Sequence, residues 1–136
     1  MNNNVNHHTQ IQETPVILTT GIYDLLKDHI RRRKLSKANE AALEAQLKKA
    51  TQVLRKDLPI DVVTVGTLVT VKDLDTGETQ EYKFVGPDKA RKKNDTVSIL
   101  SPMGIALIGY PEGAIIDWEF GDCIKKNQIT KVLRIS

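Results

Sequence analysis

The sequence contains one cysteine, Cys123, so no disulfide can form within the chain. Its neighbours Phe120 and Ile124 indicate a small core residue, and a reduced thiol fits a reducing compartment. No apolar run is long enough to cross a membrane. The first residues lack both the basic start and the apolar centre of a secretory signal, so we expect a cytoplasmic protein.

Histidine is almost as scarce, with only His7, His8 and His29 in the chain. The first two lie in a polar N-terminal stretch and the third on a predicted helix, away from any serine, cysteine or carboxylate motif. Phosphate-binding loops, dinucleotide glycine fingerprints and the CxxC and HExxH spacings are also missing. We therefore expect a protein that is not an enzyme, with no catalytic residue, cofactor, metal, membrane partner or small-molecule substrate.

Positive charge is concentrated in one third of the chain. The net charge is only +3, but residues 21–57 hold ten lysines and arginines against five acidic residues. The density is highest from Arg31 to Lys37, where the side chains could contact nucleic acid or an acidic protein surface. A solvated helix end, where basic residues favour the helix dipole, explains the same cluster.

The first part of the chain predicts a tail followed by two helices. Residues 1–16 are polar and rich in asparagine, which is typical of a disordered tail. Residues 17–59 carry helical periodicity over 21–34 and 37–56, and the short connection makes the helices antiparallel. The second helix has a short heptad seam, as in a coiled coil, formed by Leu43, Leu47, Ala50 and Leu54.

From residue 60 to residue 136 the apolar pattern becomes strand-like. One short helix at 103–109, begun by Pro102, is expected among five strands at 67–74, 79–85, 96–101, 114–120 and 128–135. The fold class is therefore α+β: a helical hairpin followed by an antiparallel β domain. Asp75-Thr76-Gly77 matches an aspartic-protease loop, but its charged neighbours favour a hairpin turn.

Two stretches of the β domain resemble the C-terminal domain of the bacterial GreA/GreB transcript-cleavage factors. Residues 84–90, FVGPDKA, match the family's apolar-Val-Gly-x-x-x-Ala turn. Residues 97–109, VSILSPMGIALIG, match its Ile-Ser-x-x-Ser-Pro-x-x-x-Ala-Leu-apolar-Gly signature. Residues 61–64 and 116–119, DVVT and IDWE, are most similar to the short-armed Rnk type. The resemblance runs over about residues 62–136 and implies an FKBP-like domain after the hairpin.

The arm also resembles this family. Residues 18–27, LTTGIYDLLK, are similar to its arm opening, and residues 34–40, KLSKANE, to its arm tip. In the family the arm enters the secondary channel of RNA polymerase, and two tip carboxylates help hold magnesium for RNA cleavage. Here Lys34 and Lys37 occupy both carboxylate positions, and ammonium groups repel magnesium. At ~1.5 Å per residue the arm is about 20 Å long, so we expect no cleavage stimulation. The predicted tip comprises Arg33, Lys34, Ser36, Lys37, Asn39 and Glu40.

The resemblance further implies that the β domain binds RNA polymerase beside the secondary channel through its strand-to-helix corner. The expected RNA polymerase-binding residues at that corner are Leu100, Ser101, Pro102, Met103, Ile105 and Ala106. For Ala106 a core position is the simpler interpretation. The expected function is that of a non-catalytic transcription regulator that competes with Gre-type factors, with weak nucleic-acid contact from Arg31 to Lys37.

Two other functions remain open from the sequence. An FKBP-like peptidyl-prolyl isomerase would use a pocket lined by Tyr82, Phe84, Tyr110, Trp118 and Phe120, although a core of this size also needs aromatic residues. A nucleic-acid-binding protein would use the basic hairpin. Isomerisation of a proline peptide tests the first, and salt-sensitive binding to DNA or RNA without polymerase tests the second.

Overall fold

The structure, a computed structural model, describes residues 14–91 and 94–135. Two helices come early in this part of the chain, and most of the strands follow them, as expected of an α+β fold. The elements in order are β1 (Ile17–Thr19), α1 (Thr20–Arg31), α2 (Lys37–Lys49), β2 (Thr51–Val53), β3 (Thr67–Asp73), β4 (Thr79–Val85), β5 (Thr96–Ser98), α3 (Pro102–Leu107), β6 (Ile115–Phe120) and β7 (Cys123–Arg134). Short 3₁₀ turns occupy Arg55–Asp57 and Pro87–Lys89. None of the described helices is long and apolar enough to cross a membrane.

The five C-terminal strands form one sheet in the order β5-β4-β3-β7-β6. Neighbouring strands in this sheet are antiparallel, except for β4 and β5, which run parallel. The long strand β7 pairs with β3 on one side and β6 on the other, so it holds the sheet together. This arrangement confirms the predicted α+β class.

The predicted strands are all found, with differences at their ends. Strand β7 begins at Cys123, five residues before the predicted start, because it continues the β6 hairpin through a turn at Gly121. Asp75 lies in a hairpin turn, where Asp73 Oδ1 accepts its backbone N–H at 2.8 Å. Gly77 follows with a φ of +80°, as a turn requires. The resemblance of this loop to a protease site is therefore limited to its sequence.

Both arm helices end earlier than predicted. Helix α1 ends at Arg31, and α2 ends at Lys49 because residues 51–53 become extended and pair in parallel with β1. Leu54 was predicted to lie on the coiled-coil seam, but it is 62% exposed. Leu43 and Leu47 of the same seam are buried. Because β1 leads into the hairpin and β2 leads out of it, their pairing brings the two ends of the hairpin together.

The hydrophobic core crosses the boundary predicted at residue 59. Leu26, Leu43 and Leu47 of the arm belong to the same buried cluster as Ile105 and Trp118 of the β domain. The arm is therefore packed against the sheet along the inner face of α2 and does not extend freely from it.

The predicted tail needs one correction. Residues 1–13 lie outside the described residues, but Val16 is only 2% exposed and packs in the core. Its backbone oxygen accepts a hydrogen bond from the N–H of Thr51 at 2.9 Å. The neighbouring Ile17 N–H donates to the Gly109 oxygen at 2.9 Å, which holds this part of the chain on the β domain.

Two glycines give a matched test of the packing around α3. A Cβ added at Gly104 would lie 2.7 Å from the carbonyl carbon of Ile99, whereas one at Gly21 in α1 would meet nothing within 4 Å. We expect Gly104→Ala to lower the free energy of unfolding by about 1–3 kcal/mol, because the backbone must move. Gly21→Ala should raise it by up to about 1 kcal/mol by favouring the helix. Urea unfolding measures both, and equal stabilities would contradict the packing at Gly104.

Candidate functional site

The corner between β5 and α3 is held by two local hydrogen bonds and by a proline in the first helical turn. The Ser98 hydroxyl accepts the N–H of Leu100 at 3.0 Å, and the Ser101 hydroxyl accepts the N–H of Gly104 at 3.2 Å. Pro102 occupies the first helical turn, where its missing N–H has no effect. These side chains explain why the chain turns sharply here and starts a helix. Ser101 is therefore a helix cap in addition to a predicted contact residue.

The corner residues differ in exposure. Pro102 is exposed, and Leu100, Ser101 and Met103 are half-buried. Ile105 and Ala106 are each only 1% exposed, so their prediction as polymerase contacts is wrong. They lie on the inner face of α3, where their side chains complete the core. The accessible part of the predicted site is thus its first four residues.

The arm tip carries most of its charge in ion pairs. Arg33, with a left-handed φ of 58°, donates from Nη1 to Glu40 Oε2 at 2.8 Å. Arg32 Nε lies 2.8 Å from Asp28 Oδ2, and Arg31 also pairs with Asp28. These pairs are exposed and contribute little stability individually.

Two lysines and one histidine complete the electrostatics of the tip. Lys34 and Lys37 form no ion pair with any residue that the structure describes. Burial, and then the positive charge of Lys34, lower the pKa of His29. A histidine with a lowered pKa is neutral at pH 7, so His29 adds no positive charge beside the lysines.

Asn39, predicted as a tip residue, joins the arm to the sheet. Its Nδ2 donates to the backbone oxygen of Glu119 at 2.8 Å, and its Oδ1 accepts the Glu119 N–H at 3.0 Å. Glu119 lies on β6, an edge strand whose outward peptide groups have no neighbouring strand. The asparagine amide therefore takes the place of a strand, and it is buried by doing so.

This contact brings the arm tip and the corner to one cleft of about 510 Å³. We call it the tip–corner cleft. Lys34, Leu35 and Ser36 line it on the arm side, and Leu100 and Pro102 line it on the opposite side. At the sheet edge it is lined by Glu119 and Phe120, while Ile105 and Asn39 reach it from the buried layer.

The remaining predicted residues lie outside this cleft. Met103 lines a different cavity on the other side of α3, and Arg33, Lys37 and Glu40 lie elsewhere on the tip. Sequence reasoning missed Leu35 and Phe120 as cleft residues, because an apolar residue next to a turn gives no sign of where it packs. The cleft combines apolar walls with a basic side, which is the chemistry of a protein-docking surface.

The aromatic residues proposed for an isomerase pocket are mostly in the core. Phe84, Tyr110 and Trp118 are buried, and burial raises the pKa of Tyr110 to about 12. No group of three or more His, Cys, Asp or Glu residues able to hold a metal occurs among the described residues.

Comparison with known proteins identifies the β domain. Residues 58–134 match the family model of the C-terminal domain of the transcription elongation factors GreA/GreB. Transcription elongation factor GreA of Clostridium kluyveri is 37% identical over 92 residues, which are 68% of this chain and 58% of that protein. The Clostridium botulinum GreA is 41% identical over the same shares. The chain thus matches less than two thirds of the length of these relatives.

A solved structure extends the likeness into the arm. The prokaryotic transcription elongation factor GreA/GreB from Nitrosomonas europaea is 26% identical, with a TM-score of 0.61. The match covers 88% of this chain and 98% of that one.

The Asn39–Glu119 pair can be tested by removing one partner. We expect Asn39→Ala to lower the free energy of unfolding by about 1–2 kcal/mol, because two backbone groups lose their hydrogen bonds. Urea unfolding followed by the fluorescence of Trp118 measures this loss, and hydrogen exchange should show faster exchange of the Glu119 amide. Lys37→Ala, an exposed change in the same helix turn, is the control. An unchanged exchange rate at Glu119 in Asn39→Ala would show that the contact contributes nothing.

Proposed function

This chain belongs to the GreA/GreB family of transcription elongation factors, and from that membership we propose that it binds RNA polymerase near the secondary channel as a non-catalytic regulator. Within the family it is of the short-armed Rnk type. It does not stimulate transcript cleavage, and it competes with Gre-type factors for their binding place. Any nucleic-acid contact through the basic tip is secondary to this.

The observation that carries the proposal is the tip–corner cleft. The corner that the family resemblance assigns to polymerase binding is accessible at Pro102, and the half-buried Leu100 lies beside it. Apolar side chains at the centre of a contact supply most of its free energy, and charged groups at the rim guide the partner. Lys34 on the arm side favours an acidic surface on the polymerase.

The arm tip supports the absence of cleavage stimulation. Its one acidic residue among positions 31–40 is Glu40, and that carboxylate is already paired with Arg33 at 2.8 Å. Magnesium requires several oxygen ligands, and the lysines at the two aligned positions offer none.

The reach of the arm is limited as well. Helix α1 has 12 residues, which gives about 18 Å at ~1.5 Å per residue. The arm also lies along the sheet, since Asn39, Leu43 and Leu47 of α2 are buried against the β domain. Moving it outward would break the Asn39–Glu119 pair and expose these leucines, so the protein acts from the outside of the channel.

Binding to core RNA polymerase should depend on the corner. We expect Leu100→Glu combined with Pro102→Glu to weaken binding at least about ten-fold, because charge replaces apolar contact at the centre of the cleft. Ser101 is left unchanged in this double variant because its side chain caps α3. Gln52→Glu, on an exposed position of β2 at the base of the arm, is the matched control and should bind normally.

The same prediction has a direct structural readout. The chain has two methionines, Met1 and Met103, so a ¹³C-methyl label gives two signals. Adding polymerase should shift or broaden the Met103 signal. Normal affinity of the double variant would move the contact away from the corner.

A cleavage assay tests the regulatory part of the proposal. We expect a stalled elongation complex incubated with the protein and magnesium to show no RNA shortening above the intrinsic rate of the polymerase. When a Gre factor is present, the protein should inhibit its cleavage at concentrations near the Kd of the protein for polymerase. The corner double variant is the control and should inhibit only at higher concentration.

Prompt RNA cleavage by the protein alone would contradict its non-catalytic role. Undiminished Gre cleavage at a saturating concentration of the protein would rule out a shared site, even with binding confirmed.

A further inference from the structure

A second cavity of about 340 Å³ lies on the other side of α3. It occupies the end of the inner sheet face that the helix leaves uncovered, and we call it the sheet pocket. Val71, Met103 and Phe120 supply its apolar lining. Phe120 also lines the tip–corner cleft, so this side chain borders both cavities.

Asn127 is the unusual residue of the sheet pocket. It lies on β7, two residues before the fully buried Ile129, and is itself only 6% exposed. Its side-chain amide makes no hydrogen bond with any of the described residues, yet its polar atoms are not sealed from the pocket. Because these atoms face the pocket, water hydrogen-bonds them in the free protein, and a ligand that displaces this water must supply the same hydrogen bonds.

Four other polar side chains of the sheet pocket, those of Asp73, Gln80, Tyr82 and Lys125, already have partners. The Tyr82 hydroxyl donates to Gln80 Oε1 at 2.5 Å, and Lys125 Nζ lies 3.9 Å from Asp73 Oδ2. Asn127 therefore offers a donor and an acceptor that are unused, side by side.

Another amide is the chemical group that can pair with both the donor and the acceptor of the Asn127 amide. The same protein shows this pairing, since Asn39 binds the N–H and the oxygen of Glu119 with its two amide atoms. We infer that the sheet pocket is a second binding site, which takes a peptide segment of RNA polymerase and pairs one of its amide groups with Asn127. The inference rests on the proposed function, because the polymerase is the partner that already occupies the adjacent cleft.

The charges at the two neighbouring cavities set the direction of the bound segment. Lys34 gives the arm end a positive side, whereas Glu78 at the sheet pocket has no ion-pair partner among the described residues. A segment with acidic residues toward the arm and basic residues toward the β3–β4 hairpin fits this pattern. Its apolar centre would lie against Phe120 and Met103.

The test compares two leucine substitutions on neighbouring residues of β7. Asn127→Leu keeps the approximate size but removes both hydrogen-bonding groups, and we expect about ten-fold weaker binding to core RNA polymerase. Gln128→Leu is the control, because successive side chains of a strand point to opposite faces. It should bind within about two-fold of the unchanged chain.

Thermal unfolding separates a binding role from a structural one. Replacing an unpartnered buried amide by leucine should leave Tm unchanged or raise it while binding is lost. Asn127→Asp, which keeps the shape and loses the donor, should also bind more weakly. If both variants lost stability together with binding, Asn127 would be structural and the inference would be wrong.

The remaining outcomes are also decisive. If Asn127→Leu bound polymerase normally while the corner double variant bound more weakly, the sheet pocket would not be a binding site, and the proposed function would stand. Failure of the unchanged chain to bind polymerase would overturn both.

Discussion

Strand β6 ends the sheet, and an edge strand presents peptide groups that have no neighbour. In this protein the side chain of Asn39 supplies the missing partner at Glu119. The arm and the sheet are therefore joined at the tip by this amide and at the base by the parallel pairing of β1 with β2. Between these two points the inner face of α2 buries Leu43 and Leu47. Because both its base and its tip are held by hydrogen bonds, the hairpin is fixed in one orientation on the β domain.

That fixed position changes how a short arm can act. An arm that projects from a domain places its tip at a distant site, so the tip must carry the functional groups that are needed there. An arm held along the domain instead adds a wall to a surface, here the side of the tip–corner cleft formed by Lys34 and Leu35. Lys34 and Lys37 at the tip and the packing of the arm are both consistent with the proposed non-catalytic role, because a tip that stays at the surface does not bring magnesium ligands to a distant site.

The sequence predicted the elements better than their contacts. Alternating residues and turn glycines locate the long strands, and Pro102 marks the start of α3 because proline fits the first turn of a helix. Strands β1 and β2 have three residues each and are stabilised by one another, so no local pattern announces them. The same holds for the Asn39–Glu119 pair, whose partners lie 80 residues apart.

The candidate site was only partly predicted, because burial depends on contacts between residues that are distant in the sequence. A motif identifies which turn forms the corner, but it does not say which face of a six-residue helix is covered, and Ile105 is buried.

A polar residue in the interior can indicate a binding site. Asn127 lies on the same strand as the core residues Ile129 and Val132, yet its amide faces the sheet pocket and has no partner among the described residues. A bound group that displaces water from this pocket would therefore have to supply the hydrogen bonds of the amide.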